Sequence, residues 1–128
     1  RKILPALKQK KIVICDRFID STIAYQVFGK NVNFKFIKYI HKIILGKLRP
    51  NLTFVLKVES SSSRKRLSKR KSKNRYDKFP KSFYDKAQKS FLRLAKNKKD
   101  YYILNSSNND NLLEKKILNI TLKYLNLR

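Results

Sequence analysis

Ile12, Val13, Ile14 and Cys15 form an uninterrupted apolar run, rich in β-branched residues, that ends on Asp16 and Arg17. A run of this kind suits the centre of a parallel sheet, where both faces are covered and no alternation with polar residues is needed. Two further strand-like runs follow, Leu52–Val58 and Tyr101–Leu104, and helical spacing fills the intervals. Phe36, Ile37, Ile40, Ile43 and Ile44 recur at three-to-four spacing and stop near Gly46, with Pro50 shortly beyond. Phe83, Ala87, Phe91, Leu94 and Ala95 do the same after Pro80. Leu113, Ile117, Ile120, Tyr124 and Leu127 form a last stripe, with Asn109 or Asp110 available as its N-cap. Strands alternating with helices predict a three-layer α/β/α arrangement around a parallel sheet. With three strands visible, that sheet is expected to be incomplete.

The 128 residues suffice for one domain with a modest core, so residues 1–128 are expected to form one unit. The chain contains no Met and opens on a helix-like stretch, which reads as a fragment. Cys15 is the lone cysteine, excluding an internal disulfide; placed in an apolar strand, it reads as a buried, inert thiol and favours a reducing, cytoplasmic setting. No apolar stretch approaches the roughly 20 residues that span a bilayer. The formal charge of +25 would ordinarily direct attention to nucleic acid or an anionic membrane. Lys supplies 24 of the 33 basic residues and is spread along the whole chain, the pattern of a solvated surface. Arg64–Arg75 is the exception, with eight basic residues in twelve.

Asp16 and Arg17 stand where a strand ends, and in open α/β sheets ligands bind just outside the carboxyl ends of strands. The Arg17 guanidinium is a planar fork suited to a phosphate or carboxylate. Asp16 could orient it, or hold water on a magnesium ion. The plainer reading makes Asp16 a helix cap and Arg17 a surface ion-pair partner. Thr22 and Gln26 fall one turn apart on a helix expected to begin near Asp20. Their hydroxyl and amide could read the edge of a base, with Tyr25 offering a ring and phenol to a sugar; an ordinary amphipathic helix capped by Asp20-Ser21 is the alternative.

DRFIDSTIAYQ after an apolar strand resembles the thymidylate kinase family, P-loop enzymes that phosphorylate dTMP with ATP. The resemblance rests on Asp16-Arg17-Phe18, Ser21-Thr22 and Ala24-Tyr25-Gln26, preceded by Pro5-Ala6-Leu7. Arg49-Pro50-Asn51-Leu52-Thr53 is similar to the family's lead into a strand, with Asn51 in place of Asp. Arg75-Tyr76-Asp77, Phe83-Tyr84 and Leu94-Ala95 extend it.

The resemblance implies a P-loop-kinase-like fold and a role for each position. Arg17 would hold the dTMP phosphate and Asp16 would organise the Mg2+ and phosphate end, through water. Thr22 and Gln26 would contact the thymine edge, and Tyr25 would pack near the deoxyribose. The basic segment, within a lid at about residues 60–78, would close over ATP; Arg66, Arg70 and Arg75 are its candidate catalytic residues, Arg70 foremost for the transferred group. Asn105 and Ser106, just after the last strand, would contact the ATP base. A homodimer is implied, and neither nucleic acid nor membrane is an expected partner. Two departures are visible. The family's glycine-rich stretch is represented by Val27-Phe28-Gly29-Lys30, and no segment matches the phosphate-cradling G-x-x-x-x-G-K-[ST] pattern. The chain alone is therefore expected to be inactive. Two other readings compete: a related P-loop deoxynucleoside or nucleotide kinase, and a non-enzymatic basic module that binds nucleic acid. The Ala-Tyr-Gln triplet argues against the first, and the absence of an RNA-binding signature against the second.

Overall fold

The computed structural model describes residues 2–69, 79–108 and 111–126. Helix α1 (Ile3–Lys8) is followed by an irregular stretch through Asp16-Arg17, then by α2 (Ile19–Thr22), which widens into a π-helical segment, Ile23–Gly29. Next come α3 (Phe34–Leu45), β1 (Thr53–Lys57), α4 (Ser60–Ser68), α5 (Lys81–Ala95), β2 (Tyr101–Asn105) and α6 (Asn111–Tyr124).

The two strands pair in parallel, Thr53 opposite Tyr101 and Lys57 opposite Asn105, so the chain crosses over between them, with α4 and α5 its described elements. Both match the expected runs to within a residue or two. Their mutual hydrogen bonds explain this, since each finds its partner within the chain. Side chains then fasten the end of β1 and the start of α4 to α5: Gln88 Oε1 accepts from the backbone N–H of Val58 at 3.2 Å, and the Ser60 hydroxyl donates to Asp85 at 3.1 Å.

The stretch Ile12–Cys15 departs from expectation. It carries no strand pairing among the described residues, and Ile14 is 93% exposed. A β-branched run becomes a strand only when a neighbouring strand takes up its N–H and C=O groups. The sheet of β1 and β2 offers it no such neighbour. Cys15, expected to be buried, is exposed for the same reason.

The core lies where α5 meets β1, β2 and the π-helical segment. Phe83, Ala87 and Ala95 of α5, Val55 and Leu104 of the strands, and Ala24, which is fully enclosed, form it. The α5 stripe therefore behaves as its spacing predicts, with Phe91 and Leu94 half-buried. Helix α3 behaves differently. Ile37 is buried and Ile40 half-buried, whereas Phe36, Ile43 and Ile44 of the expected stripe are exposed. Asn33 caps this helix, its side chain accepting from the backbone N–H of Phe36 at 3.1 Å. Gly46 ends it at φ 53°, ψ −118°, a conformation open to glycine and strained for other residues. In α6, Leu113, Ile117 and Ile120 are half-buried and Tyr124 exposed. Leu127, Asn109 and Asp110 lie outside the described residues.

Candidate active site

The chain turns at Asp16-Arg17 through a left-handed residue, Arg17 having φ 64°. A side-chain-bearing residue in this region is strained and is held there only by its surroundings. The Cys15 thiol donates to the Arg17 carbonyl at 3.4 Å, one local contribution to the turn. Phe18 then serves as the N-cap residue of α2 without a side-chain cap bond, so neither Asp16 nor Asp20 is spent on capping. Asp16 is exposed, and its carboxylate has no hydrogen bond or ion pair among the described residues.

The turn carries the Arg17 guanidinium back over the ring of Tyr25, 5.1 Å from its centroid. A cation over an aromatic face is attracted by the ring quadrupole. Tyr25 is itself packed by aromatic neighbours, with Phe83 at 5.6 Å and Phe91 edge-on at 6.0 Å. Thr22 closes α2 and Gln26 lies in the π-helical segment; both are half-buried, with side-chain polar atoms free of hydrogen bonds among the described residues. The wider turn was not expected from the sequence. π-helical turns concentrate at functional sites, because they re-aim side chains that an α-helix would place elsewhere. Asp16, Arg17, Thr22, Tyr25 and Gln26 thus sit on one turn and the helix it feeds. Together they present a cation, a carboxylate, an aromatic face and two uncommitted hydrogen-bonding side chains.

A second group gathers after the strands. Arg66 of α4 donates through Nη2 to the carbonyls of Ser106 and Ser107, at 2.7 and 3.1 Å. Ser106 is buried; its backbone N–H and its hydroxyl both donate to the Lys57 carbonyl, at 2.7 and 3.1 Å. Asn105 accepts from the backbone N–H of Ser107 at 2.9 Å. Arg66, Asn105 and Ser106 are therefore brought together, as a braced turn at the carboxyl end of the sheet. Arg70 and Arg75 lie outside the described residues.

One constellation escaped the sequence reading. The half-buried Tyr101 phenol interacts with the side chains of Asp20 on α2 and of Thr53, its register partner on β1. Burial pushes the phenol up to about 12, and the Asp20 carboxylate, as acceptor and as a nearby negative charge, pushes the same way, against a smaller opposing contribution from Thr53. This network joins the helix after Arg17 to the sheet. In sequence Tyr101 is only one apolar residue of a strand; the signal available was its hydroxyl, which must find a partner when half-buried.

Comparison with known proteins decides what kind of chain carries this arrangement. The family model described as thymidylate kinase matches residues 1–117. The chain belongs to the thymidylate kinase family. Among curated relatives, thymidylate kinase of Wolbachia sp. subsp. Brugia malayi is 47% identical over 98 residues, covering 77% of this chain and 46% of the relative. That of Mycoplasmopsis pulmonis is 34% identical over 122 residues, covering 92% and 52%. The chain thus spans about half the length of the curated relatives it matches. The crystal structure of thymidylate kinase from Ehrlichia chaffeensis superposes with a TM-score of 0.70 at 28% identity, over 94% of this chain and 56% of that one. The architecture is accordingly that of the thymidylate kinases, the P-loop kinase fold, of which β1 and β2 form part of the parallel sheet.

The family uses ATP with Mg2+. Among the described residues no group of three or more His, Cys, Asp or Glu could form a dedicated metal cage. A nucleotide-borne Mg2+ keeps most of its waters and needs only one or two carboxylates beside the phosphates, a demand that exposed, uncommitted Asp16 fits.

Proposed function

We propose that this chain supplies the dTMP-binding and lid portions of an enzyme that phosphorylates dTMP to dTDP with ATP, a step of dTTP synthesis. The observation that carries the reading is the Arg17 guanidinium lying over Tyr25 beside the uncommitted side chains of Thr22 and Gln26. In this reading Arg17 takes the dTMP phosphate through its fork of N–H donors. Thr22 and Gln26 hydrogen-bond the thymine edge, and the Tyr25 ring packs against the deoxyribose, where an added 2′-hydroxyl would lack room. Asp16 holds a water of the nucleotide-bound Mg2+, whose charge offsets that of the phosphates.

Phosphoryl transfer spreads charge over equatorial oxygens, so catalysis is mostly positioning and electrostatic stabilisation. Arg70 supplies the cation nearest the transferred group, and Arg66 and Arg75 flank it. Arg66 also braces the Asn105-Ser106 turn that receives the ATP base. The lid covers about residues 60–78 of a unit spanning 1–128. The sequence as given has no G-x-x-x-x-G-K-[ST] segment to cradle the ATP phosphates, so the 128 residues are expected to be inactive alone. The reading carries a cytoplasmic location and a homodimer. No helix among the described residues is long and apolar enough to cross a membrane.

The test is nucleotide-dependent ADP release by the protein at the full length its gene encodes. The expected result is turnover with dTMP and little with UMP or unphosphorylated thymidine. Equal use of several nucleoside monophosphates, or none of dTMP, would overturn the assignment.

A further inference from the structure

Gly29 does not lie in the left-handed region, so no backbone demand makes it glycine. Its neighbour does. A Cβ at position 29 would stand 2.5 Å from Cε2 of Phe83, with two further ring atoms at 3.1 and 3.3 Å. Phe83 could not easily yield, being buried and stacked against Phe79 at 4.3 Å, with Tyr84 edge-on at 5.8 Å. Its remaining aromatic neighbour is Tyr25, the ring beneath the Arg17 guanidinium.

Arg17 is exposed, and a free arginine carries rotamer entropy that binding must overcome. A fixed aromatic platform removes part of that cost before ligand arrives. Phe83 occupies the place that fixes it, although it lies on α5, more than fifty residues away along the chain from the turn it serves.

We propose that Phe83, admitted by the side-chain-free gap at Gly29, is a positioning residue that holds the Tyr25 ring under the Arg17 guanidinium and so sets affinity for the phosphate of the bound nucleotide. It deepens the dTMP reading above and rests on it for the identity of that nucleotide.

The experiment compares Phe83→Leu, Gly29→Ala and their double variant in the protein at its full encoded length, with Ala95→Gly as a control for core damage on the same helix. Phe83→Leu keeps the site apolar and removes the ring; Gly29→Ala keeps the ring and displaces it. Each is expected to raise KM for dTMP about fivefold, on the order of 1 kcal/mol, and to leave KM for ATP within about twofold. The double variant should not exceed the larger single effect, because both act on one ring. Ala95→Gly should lower Tm without moving KM for dTMP. A Phe83→Leu enzyme that loses Tm as Ala95→Gly does, with KM for dTMP unchanged, overturns the proposal. Should the parent protein make no use of dTMP, the functional reading fails and a second readout decides this one: the NMR resonance of the Arg17 Nε–H, shifted by the Tyr25 ring current. Movement of that resonance toward the ordinary arginine position in Phe83→Leu supports the positioning role, and an unmoved resonance overturns it.

Discussion

The placement of Asp16 and Arg17 at a turn into a helix was legible in the sequence because it follows from their position at the end of an apolar run, whether or not that run pairs as a strand. What could not be read was the backbone that aims them: the left-handed φ of Arg17, to whose turn the local bond from the Cys15 thiol to the Arg17 carbonyl contributes. Arg17 is expected to be unforgiving. In the proposed reading Arg17→Ala removes a charge-assisted contact with the dTMP phosphate, worth about 1.5–3 kcal/mol, and should raise KM for dTMP by roughly tenfold to a hundredfold while KM for ATP changes little. Arg17→Lys should recover only a small part, since a point charge neither forks around two oxygens nor lies flat on Tyr25; steady-state kinetics with each substrate varied in turn checks both. Tyr101 makes a prediction of a different kind. Its folded-state phenol titrates at about 12 against an ordinary 10.0. A raised pKa means that the stabilising contribution is complete below about pH 10 and is lost as pH climbs toward 12. Tyr101→Phe should therefore be about 1 kcal/mol less stable than the parent near pH 8, and the gap should close above pH 10 as the parent must ionise a phenol that is half-buried and lies beside the Asp20 carboxylate. Urea unfolding of the pair across pH 8–11.5 reads this, with lysine titration common to both. A gap that stays constant or widens with pH would show that the fold does not hold the Tyr101 phenol protonated.

Among elements, the strands and helices most accurately anticipated are those whose partners lie within the same stretch of chain. β1 and β2 have each other, and α5 covers both, so apolar pattern and structure agree there. Ile12–Cys15 has the stronger strand composition, yet composition specifies only a preference; ladder hydrogen bonds make the strand. The π-helical segment was invisible for a related reason. The residues from Ile23 to Gly29 suit an α-helix as well, and what widens it is not a local propensity. One element end was read correctly on a mechanism that can be tested. Gly46 closes α3 in a backbone conformation that L side chains avoid, with open space around its would-be Cβ. Any cost of Gly46→Ala is then conformational, not steric, and should be about 1–2 kcal/mol. Thermal unfolding at fixed pH measures it. An alanine there that leaves Tm unchanged would mean that the end of α3 relaxes without penalty.

For the whole molecule, the charge of +25 singles out no one partner, because its lysines are spread along the whole sequence. The apolar surface says more. Helix α3 has two apolar stripes where a core-facing helix needs one: Ile37 and Ile40 turn inward, while Phe36, Tyr39 and Ile43 follow one another along an exposed face, Ile43 at 63% exposure, with Ile44 beside them. Sequence periodicity merged these stripes, since it records which positions are apolar and not which side meets the rest of the fold. A helix apolar over so wide an arc, with its outer stripe left to water, has the character of an interface, and a second copy of the chain is the occupant that the proposed homodimer requires. A symmetric contact through this face would set Ile43 and Phe36 of one protomer against the same residues of the other, as isologous interfaces do. Light scattering on the full encoded protein should then give twice the protomer mass at micromolar concentration. Ile43→Glu should shift the population to monomer, because it brings like charges together in a desolvated contact, while an unchanged circular dichroism spectrum shows that α3 still folds. A parent protein that is monomeric at high concentration, or an Ile43→Glu variant that remains fully dimeric, would remove α3 from the interface and leave its outer stripe to be explained by a different contact.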